Sequence, residues 1–446
     1  MDLPEKFVSR MKHMLGAEYD NFYKALCEKP IYSGIRINTL KDGARSAVFD
    51  ELGELKGVKW CESGFYADKK TVSGKHPLHA AGAFYFQEPS AMSAVEALPV
   101  EPGDFVLDLC AAPGGKSTHA AAKLGGTGLL VANEIIKKRA DILSENIERM
   151  GIKNAVVTNE PPQRLAEKYP RFFDKIIVDA PCSGEGMFRK EPQAVTEWSG
   201  EHALSCAERQ KNILESAVKM LKPGGYLVYS TCTFSEEENE GAAEFLLNNY
   251  DMRLCEIPRL SMLSPGISTA AHDMTFARRI FPHLQKGEGH FAALFQYVGE
   301  GGEERAAKPK KTAVGDKREL YRAFESEFLN TKLDGVFTLF GDNLYLMPFD
   351  LDIDKIKVVR AGLHLGTLKK NRFEPSHALA LALGADEIKY TVECDLETAQ
   401  SYMRGEIIGC ADRGWCAVTY KGFTLGWGKA SNGALKNHYP KRLRIV

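Results

Sequence analysis

"FVLDLCAAPGGKSTHAA" (105–121) decides the fold. An apolar strand (105–109) runs into a turn of small residues at Gly114 and Gly115, and the turn opens a helix. The format repeats in "GLLVANE" (128–134), "NAVVTN" (154–159), "FDKIIVDAP" (173–181) and "GYLVYSTC" (225–232), and "HFAALFQ" (290–296) supplies a later strand. Helical spacing at 116–124, 136–150 and 201–221 separates the strands, and "KPGG" (222–225) closes the last helix. Strands alternating with helices predict a parallel sheet with crossover helices. The expectation is a doubly wound α/β domain over residues 76–298.

Outward from that domain the pattern changes. Residues 1–75 read as a small α+β module: one helix over 1–26, from the spacing of Phe7, Met11, Met14, Leu15 and Phe22, then short strands in "GIRINTL" (34–40) and "WCESGFYA" (60–67). The stretch 299–320, "GEGGEERAAKPKKTAVGDKREL", is Gly-rich, charged and poor in aliphatics, and reads as a linker. Beyond it, 321–390 and 391–446 divide into a middle and a terminal unit. The finish from Lys421 carries six Lys or Arg and no acid, interleaved with Phe423, Trp427 and Tyr439. That mixture suits a polyanion with stackable bases, or alternatively a solvated tail over a small β-barrel.

The 446 residues, 44% hydrophobic, can bury a large core, so a globular chain of several domains is expected. A net charge of −1 gives no chain-wide excess of basic residues. No uninterrupted apolar run approaches bilayer length and the N-terminus has no apolar signal segment, so a cytoplasmic protein without membrane partners is expected. The ten cysteines form no C-x-x-C, and Cys410 and Cys416 lack a second pair nearby. Disulfides and a metal site are not expected.

The loop at 110–116 lacks both G-x-G-x-x-G and G-x-x-x-x-G-K-[ST], which disfavours phosphate cradling. Glu134 ends the second strand, where an acid accepts hydrogen bonds from ribose hydroxyls. A nucleoside without a pyrophosphate points to S-adenosylmethionine. Asn159, ending the third strand, would then lie near the adenine, or simply start the turn into "EPPQRL".

Ligands of open α/β sheets bind at the carboxyl ends of the strands, where Asp179, Cys182 and Cys232 all fall. Carbon 5 of a pyrimidine is a poor nucleophile, but a thiolate adding to carbon 6 turns the ring into an enamine that can take up a methyl group. The surplus proton on carbon 5 must then leave, and a second group acts as base or helps release. Asp179 would hydrogen-bond or protonate N3 and the exocyclic amine, selecting cytosine. Ser235 and Glu238 read as a capping box, placing Cys232 just upstream of a helix N-terminus. Phe188, Arg189 and Lys190 are read either as pocket residues or as plain loop.

Four ordered motifs, "QEPSAM" (87–92), "CAAPGGKS" (110–117), "DAPCSGEGMFRK" (179–190) and "YSTCTFSEEENE" (229–240), together resemble the Sun/Fmu-type RNA 5-methylcytosine methyltransferases. "RAGLHLG" (360–366) and the basic finish are similar to the bacterial RsmF subgroup, which modifies small-subunit ribosomal RNA. The resemblance implies a class I S-adenosylmethionine-dependent (Rossmann-like) methyltransferase fold, an N-terminal RNA-binding module and a C-terminal PUA-like domain. It implies Cys232 as nucleophile and Cys182 in product release, an order that spacing alone leaves open. It implies cofactor contacts at Cys110, Ala111, Ala112, Pro113, Gly114, Gly115, Lys116, Glu134 and Asp179. "TNEPPQ" (158–163) departs from relatives that carry Asp after the third strand, and Asn159 is the residue expected there. The expected partner is ribosomal RNA or the small ribosomal subunit. Two other readings remain: methylation of another nucleic acid or of an exocyclic amine, and a non-catalytic RNA-binding assembly factor.

Overall fold

The computed structural model describes residues 2–28, 30–68, 72–300 and 317–445. The chain opens with α1 (Glu5–Leu15) and α2 (Tyr19–Cys27), not with one helix. Gly16, at φ 51°, turns the chain between them, so the apolar spacing over 1–26 continues across a bend. A four-stranded antiparallel sheet follows, from β1 (Gly34–Ile37), β2 (Gly57–Val58), β3 (Cys61–Tyr66) and β4 (Phe84–Phe86), with α3 (Ala44–Leu52) and α4 (Pro77–Ala80). The helix α5 (Ser93–Ala97) leads into the large sheet.

That sheet is built from β5 (Phe105–Asp108), β6 (Leu129–Asn133), β7 (Ala155–Thr158), β8 (Phe173–Asp179) and β9 (Leu221–Thr231), all parallel in the order β9-β8-β5-β6-β7. Its crossovers are α6 (Gly115–Leu124), α7 (Lys137–Arg149), α8 (Pro162–Lys168), α9 (Pro192–Glu197) and α10 (Gly200–Met220). The "KPGG" stretch does not form a separate loop after α10. Its residues lie within β9, where the pairing with β8 jumps from Phe173–Leu221 to Lys175–Tyr226. Both faces of the sheet are covered, which is why its strands read as continuous apolar runs. Along β8, Ile176 and Val178 join Leu165, Leu214 and Leu246 in one core, while Ile177 joins Leu124, Leu143 and Ile147 in the other. After α11 (Glu240–Asn249), the strands β10 (Met252–Cys255), β11 (Ser264–Pro265), β12 (Arg278–Ile280) and β13 (His290–Tyr297) extend the sheet, β13 lying antiparallel to β9.

Of the stretch expected to be a linker, 301–316 lies outside the described residues, and from Lys317 the chain is already helical in α12 (Lys317–Phe328). "KREL" belongs to an amphipathic helix whose Tyr321, Phe324 and Phe328 are buried, and its charged residues disguise that start. The middle unit is an antiparallel sheet of β14 (Val336–Phe340), β15 (Asn343–Met347), β17 (Leu363–Lys369) and β18 (Arg372–Pro375). Between β15 and β17, β16 (Val358–Ala361) leaves this sheet and pairs antiparallel with β7, so the far edge of the large sheet is closed by a C-terminal strand. Arg360 on β16 bonds Ser144 at 3.1 Å and pairs with Glu148, both on α7.

The chain ends with α13 (His377–Ala382), β19 (Thr391–Cys394), α14 (Leu396–Arg404), β20 (Ile408–Gly409), β21 (Gly414–Tyr420), β22 (Phe423–Ser431) and β23 (Ala434–Asn437). The five strands form one sheet that shares a core with the N-terminal module: Ile35, Phe65 and Phe84 meet Tyr402, Val418 and Leu425. Phe423, Trp427 and Tyr439 are all buried. The aromatics of the basic finish are therefore core residues, not a platform for bases. No helix among the described residues is long and apolar enough to cross a membrane.

Candidate active site

Two loops leave the carboxyl ends of neighbouring strands, one from β8 carrying Cys182 and one from β9 carrying Cys232. Register pairs Asp179 with Ser230, so the cysteines emerge side by side. Their Sγ atoms are 3.3 Å apart, and the Cys232 N–H donates to Cys182 Sγ at 3.4 Å. The hydrogen bond with Cys232, followed by burial, pushes the Cys182 thiol well above its usual range. Gly186 N–H donates to the Cys232 carbonyl at 2.9 Å. A Cβ at Gly186 would fall 2.6 Å from the Gly289 carbonyl oxygen and 2.8 Å from that of Cys232, so only glycine fits where three loops meet.

The Cys182 loop is held by a buried network that the sequence did not show. The Glu238 carboxylate accepts from Ser183 N at 2.9 Å, from Gln210 Nε2 at 2.9 Å and from Ser183 Oγ. Tyr229 OH donates to Gln210 Oε1 at 2.9 Å, fixing which end of that amide faces Glu238. Half of the expected capping box exists, Glu238 N–H reaching Ser235 Oγ at 3.4 Å. The other half does not, because the Glu238 carboxylate turns to Ser183 and α11 starts only at Glu240. No helix N-terminus therefore stands immediately behind Cys232.

A second buried acid, Glu185, ties the same loops to the N-terminal helices. It pairs with Arg10 of α1, accepts from Trp198 Nε1 at 2.8 Å and accepts from Phe234 N at 3.1 Å. Phe188 is fully buried and meets Phe7 edge-on at 5.1 Å. Arg189 bonds Glu288 at 2.5 Å and the Ala25 and Gly287 carbonyls at 3.0 Å, and Lys190 lies 3.4 Å from Glu288. Phe188 and Arg189 thus clamp the loop to α1 and α2, and Lys190 and Arg189 share Glu288. The "FRK" run carries no sequence signal for this, since its partners are 98 or 99 positions further on or in the first 25 residues.

Asp179 Oδ2 lies 2.7 Å from Lys116 Nζ, and Oδ1 accepts from Ser230 Oγ at 2.8 Å. Burial acts to raise the Asp179 carboxyl, but Lys116 outweighs it and holds the group below the usual range; Lys116 is raised in return, its burial more than offset by Asp179. Held in its charged form by Lys116, Asp179 is set to accept hydrogen bonds, the first of the two roles expected of it.

Asp108, Glu134 and Asp179 end three adjacent strands, giving an acidic crest beside the 110–116 loop. Burial pushes the Asp108 carboxyl up to about 7, and its Oδ1 is buried without a partner. Ser117 Oγ donates to the other oxygen at 2.6 Å. Gly114 adopts φ 117° and opens α6, whose first turn faces this crest; the loop is braced by Arg139 on the Ala112 carbonyl and Asn146 on the Pro113 carbonyl, both at 2.9 Å. Burial pushes the Cys110 thiol far up, making it an inert wall. Glu134 accepts from Ile136 N at 2.9 Å. Asn159 donates to the Glu134 and Ile135 carbonyls at 2.7 and 2.8 Å, so its amide shapes the turn that carries Glu134. A glycine-opened loop, an orphaned carboxylate oxygen and a strand-end acid fit a cofactor with a cationic sulfonium and a ribose diol.

Away from this site, two groups among the described residues bring metal-capable atoms within 4.8 Å of one another: Cys61, Glu96 and His119, and Cys410, Asp412 and Cys416. In the first, Glu96 is already engaged by His119 at 3.2 Å, Lys123 at 3.0 Å and Arg259 at 2.5 Å.

With the geometry described, comparison with known proteins decides the family. Models of the 16S rRNA methyltransferase RsmB/F, of the RsmF N-terminal domain, of the RsmF first C-terminal domain and of the RsmF PUA domain match residues 95–296, 3–89, 323–383 and 389–445. Ribosomal RNA small subunit methyltransferase F of Vibrio vulnificus is 34% identical over 99% of this chain and 97% of its own length. The chain belongs to the RsmF family. The same protein of Aeromonas salmonicida is also 34% identical, over 99% of this chain and 97% of its own. Among solved structures, a methyltransferase homologue from Pyrococcus horikoshii is 29% identical at TM-score 0.59, covering 66% of this chain and 95% of that one. NSun6 from the same organism, solved with SFG, shares the fold at 24% identity and TM-score 0.58, over 67% of this chain and 99% of that one. This RsmF-family chain is an S-adenosylmethionine-dependent 16S rRNA methyltransferase with a C-terminal PUA domain.

Proposed function

We propose that the enzyme methylates carbon 5 of cytosine in small-subunit ribosomal RNA through a covalent cysteine adduct. The observation that carries this reading is the pair of sulfurs 3.3 Å apart beside the Asp179–Lys116 ion pair. Exocyclic amine methylation needs neither thiol.

Bound S-adenosylmethionine, held by the Cys110–Lys116 loop, Glu134 and Asp179, supplies the methyl group that carbon 5 takes up. Cys232 adds as thiolate to carbon 6, and the π pair of the 5,6 double bond moves to carbon 5. Asp179 accepts from the exocyclic amine, orienting the ring. Once carbon 5 is methylated its proton passes to solvent water, the freed C–H pair re-forms the 5,6 double bond, and the carbon 6–sulfur bond breaks with its pair leaving on Cys232 as thiolate. Cys182 assists this release. The hydrogen bond with Cys232 and burial raise the Cys182 thiol, which favours the form that carries a proton and suits it to assist rather than to attack. Asn159 sets the adenine-side turn through its backbone contacts.

The N-terminal module and the PUA domain, which share one core, would grip RNA around a target base that is flipped out or single-stranded. Lysines and arginines supply this grip, so binding weakens steeply with salt. The test is nucleoside analysis of ribosomal RNA treated with enzyme and cofactor: 5-methylcytosine is the expected product, and N4-methylcytosine or methylation at another base would refute the reading.

A further inference from the structure

His290 opens β13 at the floor of the site. Phe291 pairs with Thr231, so one register step further the His290 backbone lies opposite Cys232. The side chain is 4% exposed, and its Nε2 is buried with no hydrogen-bond partner. Its second ring nitrogen bonds the Gly289 backbone, and the charges that bear on the ring are Lys116, Asp179 and Glu88. Burial lowers the imidazole to about 4, so it is neutral near pH 7. A neutral ring that donates to Gly289 through one nitrogen keeps a lone pair on the other.

Neighbouring groups are bonded to one another and not to His290. Asp179 holds Lys116 and Ser230, Ser183 holds Glu238 and Thr233, and Gln210 holds Glu238 and Tyr229. An unpaired nitrogen in such a place destabilises the fold, a cost that an apolar ring of similar size would avoid. The cost is recovered when a ligand donor arrives.

We propose that His290 determines base specificity by accepting, through Nε2, a hydrogen bond from the exocyclic amine of the target cytosine. This rests on the cytosine-5 reading above. The amine carries two hydrogens, and Asp179 and His290, which bear on each other electrostatically, would each accept one, Asp179 through a carboxylate lone pair not directed at Lys116 or Ser230. Uracil would turn its own acceptor oxygen toward both of them and be repelled.

The test uses full-length enzyme and target-site RNA carrying either cytosine or pyrimidin-2-one, which has hydrogen in place of the amine. Wild type, His290→Phe and His290→Gln are compared in kcat/KM. His290→Phe is expected to slow cytosine by about tenfold and to leave pyrimidin-2-one within about twofold, as loss of one hydrogen bond requires. His290→Gln, with an amide oxygen as acceptor, should recover part of the cytosine rate. Equal losses on both RNAs, or a lowered Tm with no change in the ratio, would make the ring a packing element and overturn the proposal. An unchanged cytosine rate would also overturn it. Wild type that methylates RNA elsewhere than carbon 5 overturns the parent reading as well, whereas intact 5-methylcytosine formation with an unchanged ratio overturns this one alone.

Discussion

Replacing Glu238 tests how the Cys182 loop is held. Its carboxylate takes two N–H donors, Ser183 N and Gln210 Nε2, both at 2.9 Å, together with Ser183 Oγ. In Glu238→Ala both N–H groups lose their acceptor inside a buried site. Two orphaned donors at about 1–2 kcal/mol each, plus a small cavity, predict a loss of about 4 kcal/mol. In Glu238→Gln the amide oxygen can still accept from both, while Ser183 Oγ redirects its proton to Thr233 Oγ1, 2.8 Å away. Burial already holds the Glu238 carboxyl above its usual range, so removing its charge recovers part of the difference. The predicted loss for Gln is about 1 kcal/mol. Urea unfolding of the three proteins measures the gap, and gel analysis with RNA reads the consequence: a loosened Cys182 should retard release and accumulate an RNA-linked band in the Ala protein. If Ala costs under about 1 kcal/mol, or no more than Gln, the network does not hold the loop and the reasoning fails.

Three further outcomes are expected. Asp108, near 3.9 when unfolded and pushed up to about 7 by burial, binds more protons folded than unfolded, so its contribution declines as pH rises from about 4 to 7, by up to about 4 kcal/mol; Asp108→Asn should flatten that part of a pH–stability curve, and an unchanged slope would count against it. Gly186→Ala should abolish methyl transfer while S-adenosylmethionine binding persists in calorimetry, because the new methyl meets two backbone carbonyls that cannot give way; a normal rate would contradict the packing. Arg10→Leu leaves the buried Glu185 without its ion partner and should cost about 3 kcal/mol in denaturant unfolding, less if water reaches the partly exposed arginine site.

Legibility in the sequence followed the range of the forces involved. The parallel strands were readable because burial on both faces makes each one apolar throughout, as Leu129–Asn133 shows. Cys182 and Cys232 were legible as neighbours because their strands are consecutive in format and ligands gather at strand ends. What failed depended on partners distant in sequence. Phe188 looked like a loop residue because Phe7 lies far up the chain, and Trp427 looked like a base platform because its core partner is Phe324. Glu238 was assigned to a local cap when Ser183, fifty-five positions earlier, claims its carboxylate. His290 left no pattern at all, since a single histidine at a strand start gains meaning only from Cys232 opposite. The β16 strand was hidden because its pairing with β7 spans two domains.

The central claim, two thiols with divided roles, is tested most directly by incubating Cys182→Ala and Cys232→Ala proteins with small-subunit ribosomal RNA and S-adenosylmethionine and running each on a denaturing gel. The account predicts an RNA-linked band from Cys182→Ala alone. A band only from Cys232→Ala would reverse the assignment, and methylation by both variants with no band from either would contradict the covalent mechanism.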